Sequence, residues 1–284
     1  MNKSKLKAII SKAFSHASRN ITGRQKGGVI TRMVKRTGAG CDTHIEDSVP
    51  TACWSWDSSR DRHIIKCGTS LDKFCNASTR MDDDKMKRFA QNIIRHETEH
   101  GIQSDRSNSV GETCADVNVP FRLWNLFEDC RIEFNSAIRL DGDGAFRWLN
   151  FHDVADKYSI ASQLLWATKT NEAGIKKQPS AYVPQWTGAD SMLYQGKQKK
   201  TRLIVLDFYR RACACASSLQ LVPICQEWIE IFGAEVPDGI ASDDINDARD
   251  PNAPMTDSLQ EKDGVKGDKF DGNHPQNKAA GEWS

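Results

Sequence analysis

Between Met81 and Gln103 the chain reads MDDDKMKRFAQNIIRHETEHGIQ, with Met86, Phe89 and Ile93 recurring at three- and four-residue intervals and His96, Glu97 and His100 continuing the same period. Such spacing predicts a helix. Three aspartates at its front suit a helix start, where backbone N–H groups lack partners. Gly101 and the turn-forming SDRSNS at 104–109 predict its end. A second helix is expected from Val119 or Pro120 through PFRLWNLFEDCRIEFNSAIRL, setting acids and arginines among Leu123, Trp124, Phe127, Cys130 and Phe134. Two further helical stretches are expected, over 145–170 and 200–233, separated by a Pro/Gly-bearing loop at 178–196.

Elsewhere the period changes. TACWSW and RHIIKCG, between Thr51 and Cys75, are short β-branched and aromatic runs bounded by turn residues and predict a hairpin or edge strands. Residues 1–40 carry one helical run, LKAIISKAFSHA, followed by glycines at 23, 27, 28, 38 and 40, which predict a mobile connection. From 236 onward Asp, Asn, Pro, Gly and Lys dominate with few apolar anchors, so disorder is expected over 236–284. The expected architecture is α+β and mainly helical: a basic N-terminal arm at 1–40, one domain at 41–235 with a small antiparallel sheet beside the histidine-bearing helix, and an acidic tail.

The composition, 284 residues with 38% apolar and 27% charged, fits a globular domain large enough to bury a core. No apolar run approaches the roughly 18 residues that span a bilayer; LIVL at Leu203–Leu206 is among the longest. No membrane is expected as a partner. The nine cysteines are odd in number, irregularly spaced and free of any CxxC pair. With no secretory signal in MNKSKLKAIISKAF, they read as reduced thiols, and a cytoplasmic location is expected. A net charge of +1 hides an asymmetry: ten Lys/Arg and no acid in 1–41, against twelve acids and five bases in 235–284. The charged ends suggest a protein partner. Nucleic acid is not the expected one, because Phe14 is the sole aromatic among the N-terminal bases.

The chemistry concentrates in RHETEHGIQSD, Arg95–Asp105. Residues four apart share a helix face, so His96 and His100 can offer both imidazoles to one metal ion. Glu97, about 100° round the helix from His96, is placed to act as a base on a water there without being a ligand. A catalytic zinc site usually has three protein ligands. The spacing that would supply a third histidine holds Arg106, and the glycine it needs is Gln103, so a carboxylate from a second helix is expected. Glu128 in NLFEDCRIE is favoured, with Asp129 as its main rival and Glu112, Asp116 and Asp105 behind. The acids not used would orient a ligating histidine from behind.

HETEHGIQSD followed by NLFEDCRIE resembles the HExxHxxxxD and NxxEDxRIE pair of zincin-like metallopeptidase regions. These occur in bacteriophage proteins and in bacterial proteins with a von Willebrand A module, including cobaltochelatase T-type subunits. The resemblance spans Arg95–Glu133. It implies a zincin-like core, zinc held by His96, His100 and Glu128, Glu97 as catalytic base, and Asn125, Asp129, Arg131 and Glu133 as companions of Glu128 on its helix. It also implies a phage-encoded zinc peptidase acting on proteins or peptides. No DxSxS site of a von Willebrand A module is present; DFYRR at Asp207 does not qualify. The alternative is a scaffold that keeps the metal for stability. His152 and Tyr158 are candidates for an oxyanion donor. His44, His63, Trp124, Trp148, Trp166, Trp228 and the basic GKQKKTR at 196–202 read as packing or surface residues.

Overall fold

A computed structural model describes residues 1–20, 27–49, 51–71, 82–106, 109–139, 144, 162–178, 181–184 and 199–234. The expected tail at 236–284, Trp148, His152, Tyr158 and the side chain of Trp166 lie outside the described residues, as do 196–198 of the expected basic loop and the side chains of 199–202, whose backbone opens a helix. In chain order come α1 (Lys3–Ala17), α2 (Val29–Thr37), β1 (Gly40–Ile45), β2 (Ala52–Asp57), β3 (Arg62–Cys67), α3 (Asp83–Gln103), α4 (Ser109–Asp116), α5 (Phe121–Arg139), α6 (Ser162–Ile175), α7 (Lys199–Ala214), a 3-10 turn (Ser218–Gln220) and α8 (Leu221–Phe232). The fold is α+β and mainly helical. None of the described helices is long and apolar enough to cross a membrane.

α3 is the axis of the fold. Asp82 caps its N-terminus by accepting a hydrogen bond from the Lys85 amide at 2.8 Å, with Asp83 and Asp84 in the first turn where the helix dipole favours acids. One side of α3 receives α1, α2 and the sheet, and another receives α5, which is itself covered by α6, α7 and α8. All ten residues from Asn92 to Gly101 are consequently buried, as are all twelve from Leu123 to Phe134 on α5. Helices buried all round are usually apolar all round. These two are not, which makes the seam between them unusual.

The sheet has strand order β1-β3-β2 and is mixed: β2 pairs antiparallel with β3, while β1 pairs parallel with it. The antiparallel sheet expected from the hairpin is thus half of the arrangement. β1 was not marked by periodicity, because GCDTHI has no inward-facing apolar alternation and its residues are only partly buried or exposed. β3 alternates cleanly, burying His63, Ile65 and Cys67.

The N-terminal residues do not form a free arm. Leu6, Ile10, Ala13, Phe14 and Ala17 of α1 and Ile30 and Met33 of α2 enter the same core as α3 and α5. Of the glycines read as a mobile connection, Gly28 permits close packing instead: a Cβ there would lie 2.1 Å from the Ala17 carbonyl oxygen. From the α3 side, Gly101 does the same for α2, where a Cβ would lie 2.3 Å from Met33 Sδ. Lys3 and Lys5 are neutralised by Asp47 and Asp83 at 2.6 Å each, so part of the basic run is paired.

Two further departures have local causes. α4, of which only Ser109 fell in the expected turn and the rest had no expected element, starts where Ser109 Oγ donates to Asp105 at 2.6 Å. The stretch at 200–233 breaks into α7 and α8 because Gln220 Oε1 takes the amide of Ala216 at 2.7 Å and that of Ser217 at 3.3 Å, while Pro223 fits only the first turn of a new helix.

If α1 belongs to the core, Ile10→Ala should destabilise the protein by about 2–5 kcal/mol, whereas the exposed Lys12→Ala should change it by less than about 0.5 kcal/mol. Urea unfolding measures both. Equal, negligible effects would return residues 1–17 to the status of a detached arm.

Candidate metal centre

Three donors meet on the buried seam between α3 and α5. His96 and His100, four residues apart on α3, turn their Nε2 atoms to Asp129 of α5, whose Oδ1 lies 3.4 Å from the first and 3.1 Å from the second. The candidate ligand atoms of the three residues all lie within 4.8 Å of one another. Around a tetrahedral ion with bonds of about 2.0–2.1 Å, neighbouring donors stand roughly 3.3 Å apart. The group can therefore hold a metal ion. The rings of His96 and His100 are nearly perpendicular, at 86°, so their lone pairs approach one point from two directions.

What fixes the imidazoles is the chemistry behind them. His96 Nδ1 is 2.6 Å from Glu133 Oε1, and a carboxylate only accepts, so the Nδ1–H donates. Glu133 is held in turn by Arg95 Nη2 at 3.3 Å. On His100, Nδ1 is 3.0 Å from Ser104 Oγ, whose own hydrogen goes to Glu128 Oε1 at 2.5 Å; the hydroxyl must then accept from the imidazole Nδ1–H. Glu128 is clamped by Arg131 through Nε and Nη2 at 2.7 Å each, and Ser218 Oγ donates to it at 2.9 Å. Both histidines thus keep a proton on Nδ1 and present Nε2 to the common point. This is the arrangement by which a carboxylate orients a ligating histidine.

The expected third carboxylate, Glu128, is therefore replaced in the donor group by its neighbour. Adjacent helix positions point about 100° apart, so only one of the pair can face the imidazoles. Glu128 instead faces the C-terminal end of α3 and the 3-10 turn, with both oxygens engaged there. Among the other acids considered, Asp105 accepts from Ser109, and Glu112 and Asp116 are exposed on α4. Ser104 and Ser218 were not anticipated; serines at a helix end carry no sequence signal that separates such a relay from ordinary capping.

Glu97 is 2% exposed. It lies within electrostatic reach of Cys67 on β3, whose thiol is pushed up first by burial and then by this carboxylate. On the same flank Trp54 of β2 lies nearly parallel to His100, 8° between planes and 6.3 Å between centroids. Its indole N–H donates to His63 Nδ1 at 3.1 Å, and His63 Nε2–H then donates to Thr37 Oγ1 at 3.0 Å. Burial, with the charge of Arg106, pulls His63 down to about 4, so it stays neutral and structural. His44 is exposed on β1, Trp124 donates to the Ser218 carbonyl at 3.1 Å, and Trp228 is core.

Electrostatics within the seam are strongly biased. Burial opposes charge on His96, yet Asp129 and Glu133 override it and hold the imidazole well above its usual value. Against the same burial, His100 and His96 hold Asp129 below the usual carboxylate range, and Arg95 with His96 holds Glu133 down to about 2.

No family model, curated protein or solved structure matches the chain.

The relays carry two predictions. Glu133→Gln, which weakens the hold on His96, should lower metal affinity about 10–100-fold, measured by chelator competition; unchanged affinity would remove the relay from the account. The second concerns pH. In metal-free protein the stability from His96 is fully present below about 6.5 and is lost as pH rises through its raised folded value. The stability from Asp129 and Glu133 is present above about 4–4.5 and is lost as pH falls through their lowered values. Metal-free stability should peak between roughly pH 5 and 6.5, and added zinc, by displacing the His96 proton, should flatten the alkaline decline. Denaturant unfolding from pH 4 to 9, with and without zinc, checks this; metal-free stability climbing steadily from pH 6 to 9 would contradict it.

Proposed function

We propose that the protein is a zinc-dependent peptidase of zincin-like type, with His96, His100 and Asp129 holding the ion and Glu97 acting as base. One observation carries the reading: both Nε2 atoms converge on Asp129 at 3.4 and 3.1 Å while both Nδ1 atoms are tied to buried carboxylates, directly or through a serine. Zinc fits a set of two imidazoles and one carboxylate, and when bound it supplies Lewis acidity towards a water and a peptide carbonyl. Glu97, on the same helix but off the ligand face, would take the proton from the attacking water and return it to the leaving amine. The paired motifs at Arg95–Glu133 support a substrate of protein or peptide class, a phage or phage-derived source and action in the cytoplasm of the host cell.

A second reading has its own observation. The donors are only 3–7% exposed, as expected of a closed structural site. Under that reading the metal stabilises a scaffold or assembly protein that works through partners at its charged ends. The glutamate that follows the first histidine of the motif has no task in such a scaffold, which is why the peptidase is preferred.

The experiment compares wild type, Glu97→Gln and Asp129→Ala for metal content and for cleavage of casein or a peptide library. Glu97→Gln should keep stoichiometric zinc and lose activity by at least about 10²–10⁴-fold; Asp129→Ala should lose the zinc. Wild type that binds zinc and cleaves nothing identifies the scaffold, and wild type without stoichiometric metal defeats both readings.

A further inference from the structure

Asn125 is the anomaly of the seam. It is 1% exposed, and neither its Oδ1 nor its Nδ2 has a hydrogen-bond partner among the described residues. Leaving buried polar atoms unpaired is costly, so such a group calls for a specific explanation. Its position supplies one. Asn125, Asp129 and Glu133 are spaced by four and form a single stripe along α5. The other two members of the stripe contact His100 and His96.

The register extends the argument. Glu99 pairs with Arg139, Gln103 with Asn135, His96 with Glu133 and His100 with Asp129, so α3 and α5 run antiparallel. Asn125 then stands four residues, about 6 Å, beyond Asp129 towards the C-terminal end of α3. From there a carboxamide can reach a small group seated beside Asp129 and His100. It offers one N–H donor face and one acceptor, which suits a carbonyl, hydroxamate or carboxylate oxygen with a neighbouring N–H or O–H.

We infer that Asn125 is a ligand-positioning residue: its carboxamide binds the carbonyl-type group of the molecule that enters the position left open by His96, His100 and Asp129. This rests on the reading of those residues as a metal centre. It assigns to Asn125 the polar contact sought at His152 and Tyr158. It also makes the unpaired carboxamide a stability cost retained for binding, since a residue placed for packing would have its hydrogen bonds met within the fold.

The test uses Asn125→Leu, close to isosteric and unable to hydrogen-bond, with Asn125→Gln as the conservative partner. Three quantities are read on the full chain: the urea midpoint, the zinc content, and the affinity of the zinc-loaded protein for acetohydroxamate by calorimetry. Asn125→Leu should raise the urea midpoint, leave zinc content unchanged and weaken acetohydroxamate at least tenfold, with Asn125→Gln recovering part of the loss. A lowered midpoint would show the carboxamide to be structural and overturn the inference. So would a raised midpoint with acetohydroxamate affinity intact. Wild type that takes up no zinc would fail the metal reading itself, a result visible before any variant is compared.

Discussion

Charge enclosed between two helices governs this structure. α3 and α5 are buried on every side over Asn92–Gly101 and Leu123–Phe134, yet those stretches hold Arg95, His96, Glu97, Glu99, His100, Glu128, Asp129, Arg131 and Glu133. An isolated ion in such surroundings costs several kcal/mol even after relaxation. The helices can approach only in a register that gives the charges their partners across the seam: Arg95 and His96 with Glu133, His100 with Asp129, Arg139 with Glu99. Apolar contacts from α1, the sheet and α6–α8 supply the burial, but the polar pairs select one register among those the apolar faces alone would accept. This is a case for ion pairs conferring specificity more than stability, since apolar residues of similar volume would hold the helices together at least as well.

That register also explains the division of labour between adjacent acids. Asp129 has one methylene and sits close to the imidazoles, directly opposite His100. Glu128, turned about 100° away, uses its longer side chain to gather Ser104, Ser218 and Arg131, joining the end of α3 to the turn before α8. The resulting chain from Arg131 through Glu128 and Ser104 to His100 means that packing at the 3-10 turn is felt at the imidazole. Precision at the donors is thus set by residues that do not belong to the donor group.

Much of this was legible from the sequence. The helix over Asp83–Gln103 announced itself by period and by its aspartate cap, and the same period put His96 and His100 on one face. The second helix and the need for one of its acids followed from the residue types required of a third ligand. Choosing between Glu128 and Asp129 did not, because a rotation of 100° about the α5 axis exchanges their roles and no linear pattern records how two helices are rotated against each other. The N-terminal segment was misread for a related reason. Its glycines resemble a flexible connection, and only the tertiary contact of Gly28 with Ala17 shows that they allow close approach. β1 was invisible because an edge strand facing solvent lacks the inward alternation by which β3 was found.

Opposed charges within the seam give the arrangement its chemical sense. Asp129 and Glu133 face His96 from α5 and, in the metal-free protein, hold its imidazole protonated against burial. A divalent ion taken up at the two Nε2 atoms would displace that proton and set a larger positive charge beside the same carboxylates. The attraction that binds a proton at this point is therefore the attraction that would bind the ion, and the seam is built for a cation whichever one it holds.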